Sequence, residues 1–441
     1  MERRAMSALQ EWKRSPDRKP LIIRGARQVG KTWLMKEFGA SYSHCAYVNF
    51  ENNPRMRRLF DSDFDIERIL IGLRVETGQP ITPGDCLLVF DEVQEVPKAL
   101  TALKYFREDA PRYDIIAAGS MLGVALHAET SFPVGKVEFL DLHPMSFPEF
   151  LTASGNEGLV KLLAGHDFAT AAAFADKLVD LLRQYLLVGG MPEAVRTFLE
   201  TRDLARVRHV QRQLNEAYEQ DFSKHAPHAV VPRIRAVWSS LPAQLSRENR
   251  KFVYGLVRRG ARAREYELAL QWLADCGLVQ RVDRVTKPGM PLVAYQDRAA
   301  FKLFAVDVGL LCASSGLDIE SVLRGNALFE EFKGALTEQY VLQQLIGHVA
   351  VRPFYWSADR ATAEVDFVVQ LGQEIVPIEV KAAENLQAKS LKSFQHTFAP
   401  RRAVRTSLSP FREEAWLINL PLYAIHELAG VVRRPSGAVQ G

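Results

Sequence analysis

The sequence is short of three things, cysteine, one-sided charge and long apolar runs, and each shortage excludes something. The four cysteines, Cys45, Cys86, Cys276 and Cys312, lie far apart in 441 residues. They lack the paired C-x-x-C spacing of a zinc or redox site and read as reduced thiols of a cytoplasmic protein. The 56 basic and 52 acidic residues leave a formal charge of only +4, so any polyanion-binding surface must be local. The longest uncharged apolar stretch, Ile115 to Leu126, falls short of the roughly 18 to 20 residues of a membrane span. Charge interrupts MERRAMSALQEWKRSPDRKP at the N-terminus, so neither secretion nor membrane insertion is expected.

What is present is a globular composition, 47% hydrophobic, in a chain long enough for several separately cored domains. Leu21 to Thr32 reads LIIRGARQVGKT, an apolar strand followed by G-x-x-x-x-G-K-T, and then WLMKEFG, a helical run that Gly39 can cap. That is the strand, loop, helix context of a phosphate-binding P-loop. Gly25, Ala26, Arg27, Gln28, Val29 and Gly30 form the loop whose backbone N–H groups would face the phosphates of ATP. Lys31 would reach the β- and γ-phosphates, and Thr32 would hold Mg²⁺.

A second run, CLLVFDEVQ (Cys86 to Gln94), is a buried-strand pattern ending in two carboxylates. Asp91 would join the Mg²⁺ shell and Glu92 would polarise the attacking water. By itself an acidic pair after a strand is as well explained as a solvated strand end; downstream of a P-loop it gains weight. AYVNF, DIIAAGS and KVEFLDL add three short strands, implying a parallel sheet covered on both faces. A strand inserted between the P-loop strand and the acidic strand would leave Glu92 beside the γ-phosphate. Ser120, ending the fourth strand, would be a polar γ-phosphate sensor or an ordinary strand-end cap.

From Phe150 to about Ser223 apolar spacings of three and four predict helices, as in AAAFADKLVDLLRQYLLVGG. Pro232 to Asp307 then reads as a winged helix-turn-helix: three helical segments followed by two β-like runs, LVQRVDRV and PLVAYQ, split by Thr286 to Met290. Arg247 to Lys287 holds ten basic residues against five acidic ones, a surplus larger than that of the whole chain. Arg258, Arg259, Arg262, Arg264, Arg284 and Lys287 are the candidates for contacting DNA phosphates. The alternative is a structural winged helix that contacts the ATPase or another subunit.

EVDFVVQLGQEIVPIEVK, Glu364 to Lys381, reads as a hairpin turning at Gly372-Gln373. Glu364 and Asp366 share one strand face, Glu379 and Lys381 one face of the next. If the register brings these faces together, Asp366 and Glu379 could hold Mg²⁺ against a phosphodiester, with Lys381 orienting or deprotonating water and Glu338 on the preceding helix adding a carboxylate. The alternative is an exposed hairpin in which Lys381 neutralises Glu379. The D…E-x-K pattern with its flanking helix and strands resembles the restriction-endonuclease-like fold.

Taken in order, GARQVGKT, VNFEN, FDEVQ, GSM, LHPMSFPEF, YLLVGGMPEAV, KLFAVDVGLL, KGALTEQYVLQQL and EVDFVV…IEVKA resemble the AAA-like P-loop ATPases of bacteria and archaea that carry a C-terminal domain of unknown function. The resemblance implies a multidomain α/β chain: a P-loop ATPase domain over 1–150, a helical lid over 151–228, a winged helix-turn-helix over 229–310, a restriction-endonuclease-like domain over 311–434 and a disordered tail over 435–441. ATP and Mg²⁺ are the implied cofactors, DNA the implied target, and a homo-oligomer or protein partner remains open. Similar proteins carry Gly-Arg before the fifth strand where this chain has Gly135-Lys136, so no arginine finger is assigned. Two functions follow: ATP-regulated nucleic-acid processing, or a nucleotide-dependent switch whose C-terminal domain binds a partner without cleavage.

Overall fold

The structure, a computed structural model, describes residues 1–119, 132–247, 250–320, 330–358, 363–382 and 389–434. Ser120 and the tail from 435 lie outside the described residues. The chain divides into two compact units, Met1–His143 with Asp275–Leu278, and Pro144–Ala274 with Val279–Gly441.

Among the described residues the first unit is built on five parallel strands, β1 (Leu21–Arg24), β2 (His44–Asn49), β3 (Cys86–Asp91), β4 (Asp114–Ala118) and β5 (Glu138–Asp141), in the order β2-β3-β4-β1-β5. β3 and β4 are buried along their whole length, as central strands covered on both faces must be. Phe50, Phe60 and Phe90 meet edge-to-face with centroids 5.5 to 5.8 Å apart and anchor one side of the sheet. β4 is the strand inserted between P-loop strand β1 and acidic strand β3. Gly39 does not cap the P-loop helix as expected. It is the last residue of the helix Lys31–Gly39, pressed against Cys45 Sγ, so its small size serves packing and Ala40 takes the cap position. All four cysteines are free thiols, three of them buried.

Among the described residues the second unit carries eight strands, β6 (Val279–Val285), β7 (Gln296–Ala305), β8 (Phe354–Ser357), β9 (Glu364–Leu371), β10 (Glu374–Val380), β11 (Ala403–Ser407), β12 (Arg412–Glu413) and β13 (Leu417–Pro421), ordered β12-β13-β11-β10-β9-β8-β6-β7. β9 and β10 form the expected tight hairpin, Leu371 opposite Glu374, with Gly372 left-handed at φ 64°. Two expectations change. PLVAYQ is mostly a 3-10 turn, Leu292–Tyr295, and the second strand runs instead through QDRAAFKLFA, where a half-exposed start gives way to a fully buried end. The β6–β7 pair is also no free wing, because β6 pairs in parallel with β8; the boundary expected at 310 falls inside one continuous sheet.

The helices expected to form a separate lid likewise belong to this unit. Tyr185, on the helix Ala175–Val188, lies 5.6 Å from the ring of Phe147 and 5.8 Å from that of Tyr340 on the helix Glu330–Gly347. The following Gly189-Gly190 is required by close approach. A Cβ on Gly189 would overlap the carboxylate of Asp307, and one on Gly190 the carbonyl of Met145. Asp307, fully buried, accepts from Gly190 N at 2.6 Å and from Leu310 N at 3.0 Å, capping the helix Val308–Ser314.

Candidate functional site: a P-loop and a buried ion cluster

The P-loop is set by backbone. Gly25 (φ 151°), Gln28 (φ 66°) and Gly30 (φ 97°) take positive φ, and a Cβ on Gly25 would overlap the carbonyl of Leu142, so glycine alone fits there. Ala26 and Val29 are buried, while Arg27 is half-buried and Gln28 exposed. Buried Arg3 braces the loop, donating to Val29 O at 2.8 Å and to His143 O at 2.6 Å. Lys31 folds back so that Nζ donates to Gly25 O and Ala26 O, each at 2.8 Å. Burial pushes its ammonium down to about 8, against the opposing pull of Glu92 and Asp91.

At the end of β3, Asp91 is buried and its Oδ2 accepts from Thr32 Oγ1 and from Tyr47 OH, both at 2.8 Å. The helix carrying Thr32 and the strand carrying Asp91 therefore meet at one oxygen. Glu92 is left-handed at φ 52°, an uncommon conformation for a non-glycine residue that turns it off the strand. Its Oε2 accepts from Gln94 Nε2 at 2.5 Å. Lys136, which replaces the expected arginine, pairs with Glu108 at 2.9 Å.

The second candidate site differs from the expected nuclease geometry. Phe367 lies opposite Ile378 in the β9–β10 register, and Asp366 accepts from Val380 N at 2.8 Å, so the hairpin does bring Asp366 beside the end of β10. The cation among them, however, is one the D…E-x-K reading leaves out. Lys302, fully buried on β7, lies 2.6 Å from Glu364 Oε1, 3.6 Å from Glu338 Oε2 and 4.0 Å from Asp366 Oδ1. Its Nζ stands 5.1 Å from the centre of the Tyr355 ring. Arg250 closes the other side of Glu338 in a short ion pair. Glu379 is neutralised by Lys381 at 2.8 Å, and its Oε2 has no hydrogen bond among the described residues.

Burial, joined by the neighbouring Glu338, raises the Asp366 carboxyl well above its ordinary value. Burial likewise raises Glu364 against the pull of Lys302. Burial opposes the charge on Glu338, yet Arg250 and Lys302 hold it below the usual carboxylate value. Lys302 stays charged despite desolvation, since Glu338, Glu364 and Asp366 raise it above an ordinary lysine. Among the described residues no three carboxylate, imidazole or thiol side chains converge as a metal site. The expected Mg²⁺ on Asp366, Glu379 and Glu338 does not fit these partners.

The basic segment is displayed as expected in part. Arg258, Arg259, Arg262 and Arg264 are exposed around the start of the helix Ala263–Asp275. Arg264 also lines an open cavity of about 750 Å³, with Arg281, Arg298 and Arg352 and the rings of Tyr254 and Phe301. Arg284 is committed to Asp297 at 3.1 Å, and Lys287 lies 4.8 Å over the Tyr295 ring. Arg284 is thus a poorer phosphate ligand than its position in the sequence suggests.

Residues 17–151 match the family profile described as AAA domain. This part of the chain is similar to AAA domains and carries the P-loop and parallel sheet described above. Residues 179–321 and 333–423 match two domains of unknown function (DUF8612 and DUF4143). The uncharacterized protein Rv2008c of Mycobacterium tuberculosis and the uncharacterized protein Mb2031c of Mycobacterium bovis are each 26% identical over 391 residues, covering 86% of this chain and 74% of theirs. Among solved structures, the Walker-type ATPase PABY2304 of Pyrococcus abyssi overlaps 71% of this chain and 95% of its own at 16% identity and TM-score 0.42. The Aeropyrum pernix ORC1 protein, solved in complex with DNA, overlaps 71% and 90% at 14% identity and TM-score 0.27. No helix among the described residues is long and apolar enough to cross a membrane.

In the AAA-like domain the donor set fits Mg²⁺. Asp91 is a buried carboxylate whose acceptor oxygen already gathers the hydroxyls of Thr32 and Tyr47. Tyr47 and Arg3 are the residues that motif reading misses here. Tyr47 sits in the ordinary strand AYVNF, and Arg3 in a charged terminus that reads as solvated. Lys302 carries a signal in retrospect, a single lysine inside the apolar run AAFKLFAV, which a buried strand retains only with partners.

Proposed function

We propose that this chain is a Mg²⁺-dependent ATPase whose turnover responds to nucleic acid bound on the arginine surface of the second unit. The observation that supports the ATPase reading best is the meeting of Lys31, Thr32, Asp91 and Glu92 at one end of β1 and β3. The phosphates compete with Gly25 O and Ala26 O for the Lys31 ammonium, and the loop N–H groups receive the remaining oxygens. Thr32 and Asp91 would hold Mg²⁺, which when bound offsets the phosphate charge. Glu92 accepts a proton as water attacks the γ-phosphorus and the bond to the ADP oxygen breaks. For that, the Glu92 oxygen must leave Gln94.

Nucleic-acid binding is supported by four exposed arginines near one helix start and by exposed Arg298 at the adjoining cavity, where Arg281 and Arg352 are instead paired with Asp283. Cleavage is not part of the proposal, because the C-terminal carboxylates are already paired with protein cations. The test is steady-state ATP hydrolysis with and without duplex DNA. Turnover that is lost in Lys31→Ala and raised by DNA in the wild type is expected. Turnover unchanged by Lys31→Ala would defeat the ATPase reading, and indifference to duplex and single-stranded DNA would defeat the coupling.

A further inference from the structure

A buried lysine needs a reason, since a desolvated ammonium costs several kcal/mol unless carboxylates surround it. Lys302 has that surround. It reaches inward from β7, one strand beyond β6 in the sheet, to carboxylates from two separate elements: Glu364 and Asp366 on β9 and Glu338 on the helix Glu330–Gly347. The Tyr355 ring on β8 forms one wall, and Arg250 takes the other oxygen of Glu338. Carboxylates drawn from a helix and a hairpin are what a divalent cation would require; here a tethered cation lies among them.

We propose that the Lys302 ammonium is the resident cation of the Glu338–Glu364–Asp366 cluster, taking the place of a divalent metal, so that the C-terminal domain is a metal-independent binding element. Three features bear on it. The ammonium is fully buried and its Cα is fixed in a sheet strand opposite Val282 of β6, so it can leave the carboxylates only by changing rotamer inside a close-packed core. A metal entering between the carboxylates would sit within reach of that ammonium and be repelled at low dielectric. The remaining pair, Glu379 and Lys381, is satisfied by itself save for one oxygen, and one oxygen does not make a cation site. The inference is independent of the ATPase reading, since it concerns nucleotide-free protein and a different unit.

The test is Mn²⁺ binding to the nucleotide-free full chain, read by electron paramagnetic resonance, for the wild type and for Glu338→Gln/Asp366→Asn. Ions held at the P-loop are common to both and cancel. Equal stoichiometry is expected; loss of an ion in the double variant would overturn the proposal. Lys302→Met, which keeps volume and removes charge, should gain one Mn²⁺ per chain and a thermal midpoint that rises with Mn²⁺. A folded Lys302→Met that gains no ion would overturn the idea that lysine stands in for metal. Should that variant not fold, the comparison of the wild type with the double variant decides alone. DNA incubated with wild-type protein and Mn²⁺ should stay intact, and cleavage abolished by Asp366→Asn would equally overturn the proposal.

Discussion

Gln94 Nε2 donates to Glu92 Oε2 at 2.5 Å, so the carboxylate placed to take a proton from the attacking water is held by an amide two residues away. Gln94→Ala is expected to raise the basal hydrolysis rate by releasing that oxygen. Glu92→Gln should lower kcat by about 10²- to 10³-fold while leaving nucleotide binding in place, as loss of a general base does. Single-turnover hydrolysis and fluorescent-nucleotide binding separate the two effects. A Gln94→Ala enzyme slower than wild type would show that the amide positions Glu92 productively.

Lys31 supplies a pH dependence. In the nucleotide-free protein burial lowers it to about 8, below its unfolded value of 10.5. Above about pH 8 the folded protein loses this proton while the unfolded chain keeps it, so this group's contribution to stability rises from there to pH 10.5. Bound phosphate restores the charge, so binding above pH 8 must take up a proton. ATP affinity is therefore expected to fall as pH rises past 8, approaching about tenfold per pH unit. Calorimetric titration in buffers of different ionisation enthalpy measures that uptake directly.

Arg3 makes the N-terminus part of the phosphate site. Arg3→Ala removes the donors to Val29 O and His143 O and leaves a buried carbonyl unpaired, a loss of about 1 to 3 kcal/mol in stability. Nucleotide affinity should weaken with it, whereas Arg3→Lys, a smaller and unforked donor, should restore only part. Thermal melts with and without ATP read both.

Glu338 lies between two cations in a buried place. Glu338→Ala leaves Lys302 and Arg250 without their shared partner, and stability is expected to drop by about 3 to 5 kcal/mol. Chemical denaturation followed through the second unit checks it.

On the arginine surface, Arg258→Ala, Arg259→Ala and Arg262→Ala together should weaken duplex binding uniformly across sequences. The salt dependence should flatten too, by a slope of about 1 for each phosphate that is no longer neutralised. Arg284→Ala should matter less, since Asp297 already holds that guanidinium. Fluorescence anisotropy of labelled duplexes at several salt concentrations measures both.

The phosphate site was legible because its chemistry is local. Gly25 through Thr32 are consecutive, and a parallel sheet follows from short apolar strands joined by helical crossovers, whereas its order β2-β3-β4-β1-β5 is known only from the structure. The β9–β10 hairpin was equally legible from Gly372-Gln373 and alternating faces. What could not be read was pairing across distance. Lys302 joins Glu364 over a gap that spacing arguments do not bridge, and the D…E-x-K pattern looks identical whether its carboxylates meet a metal or an ammonium. The strand at Gln296–Ala305 is hard to see because its first half alternates weakly and PLVAYQ carries stronger β-formers. The partition at 310 failed because sequence pattern reports individual strands and not which sheet they join.

The parallel pairing of β6 with β8, Arg284 beside Tyr355 and Val285 beside Trp356, has a practical side. A fragment trimmed to begin after the β6–β7 hairpin would lose the lysine that neutralises its own interior and would present β8 as a bare, apolar edge open to another chain. Dissection of this protein by truncation would then report self-association of the fragment, whereas point substitution keeps the sheet whole.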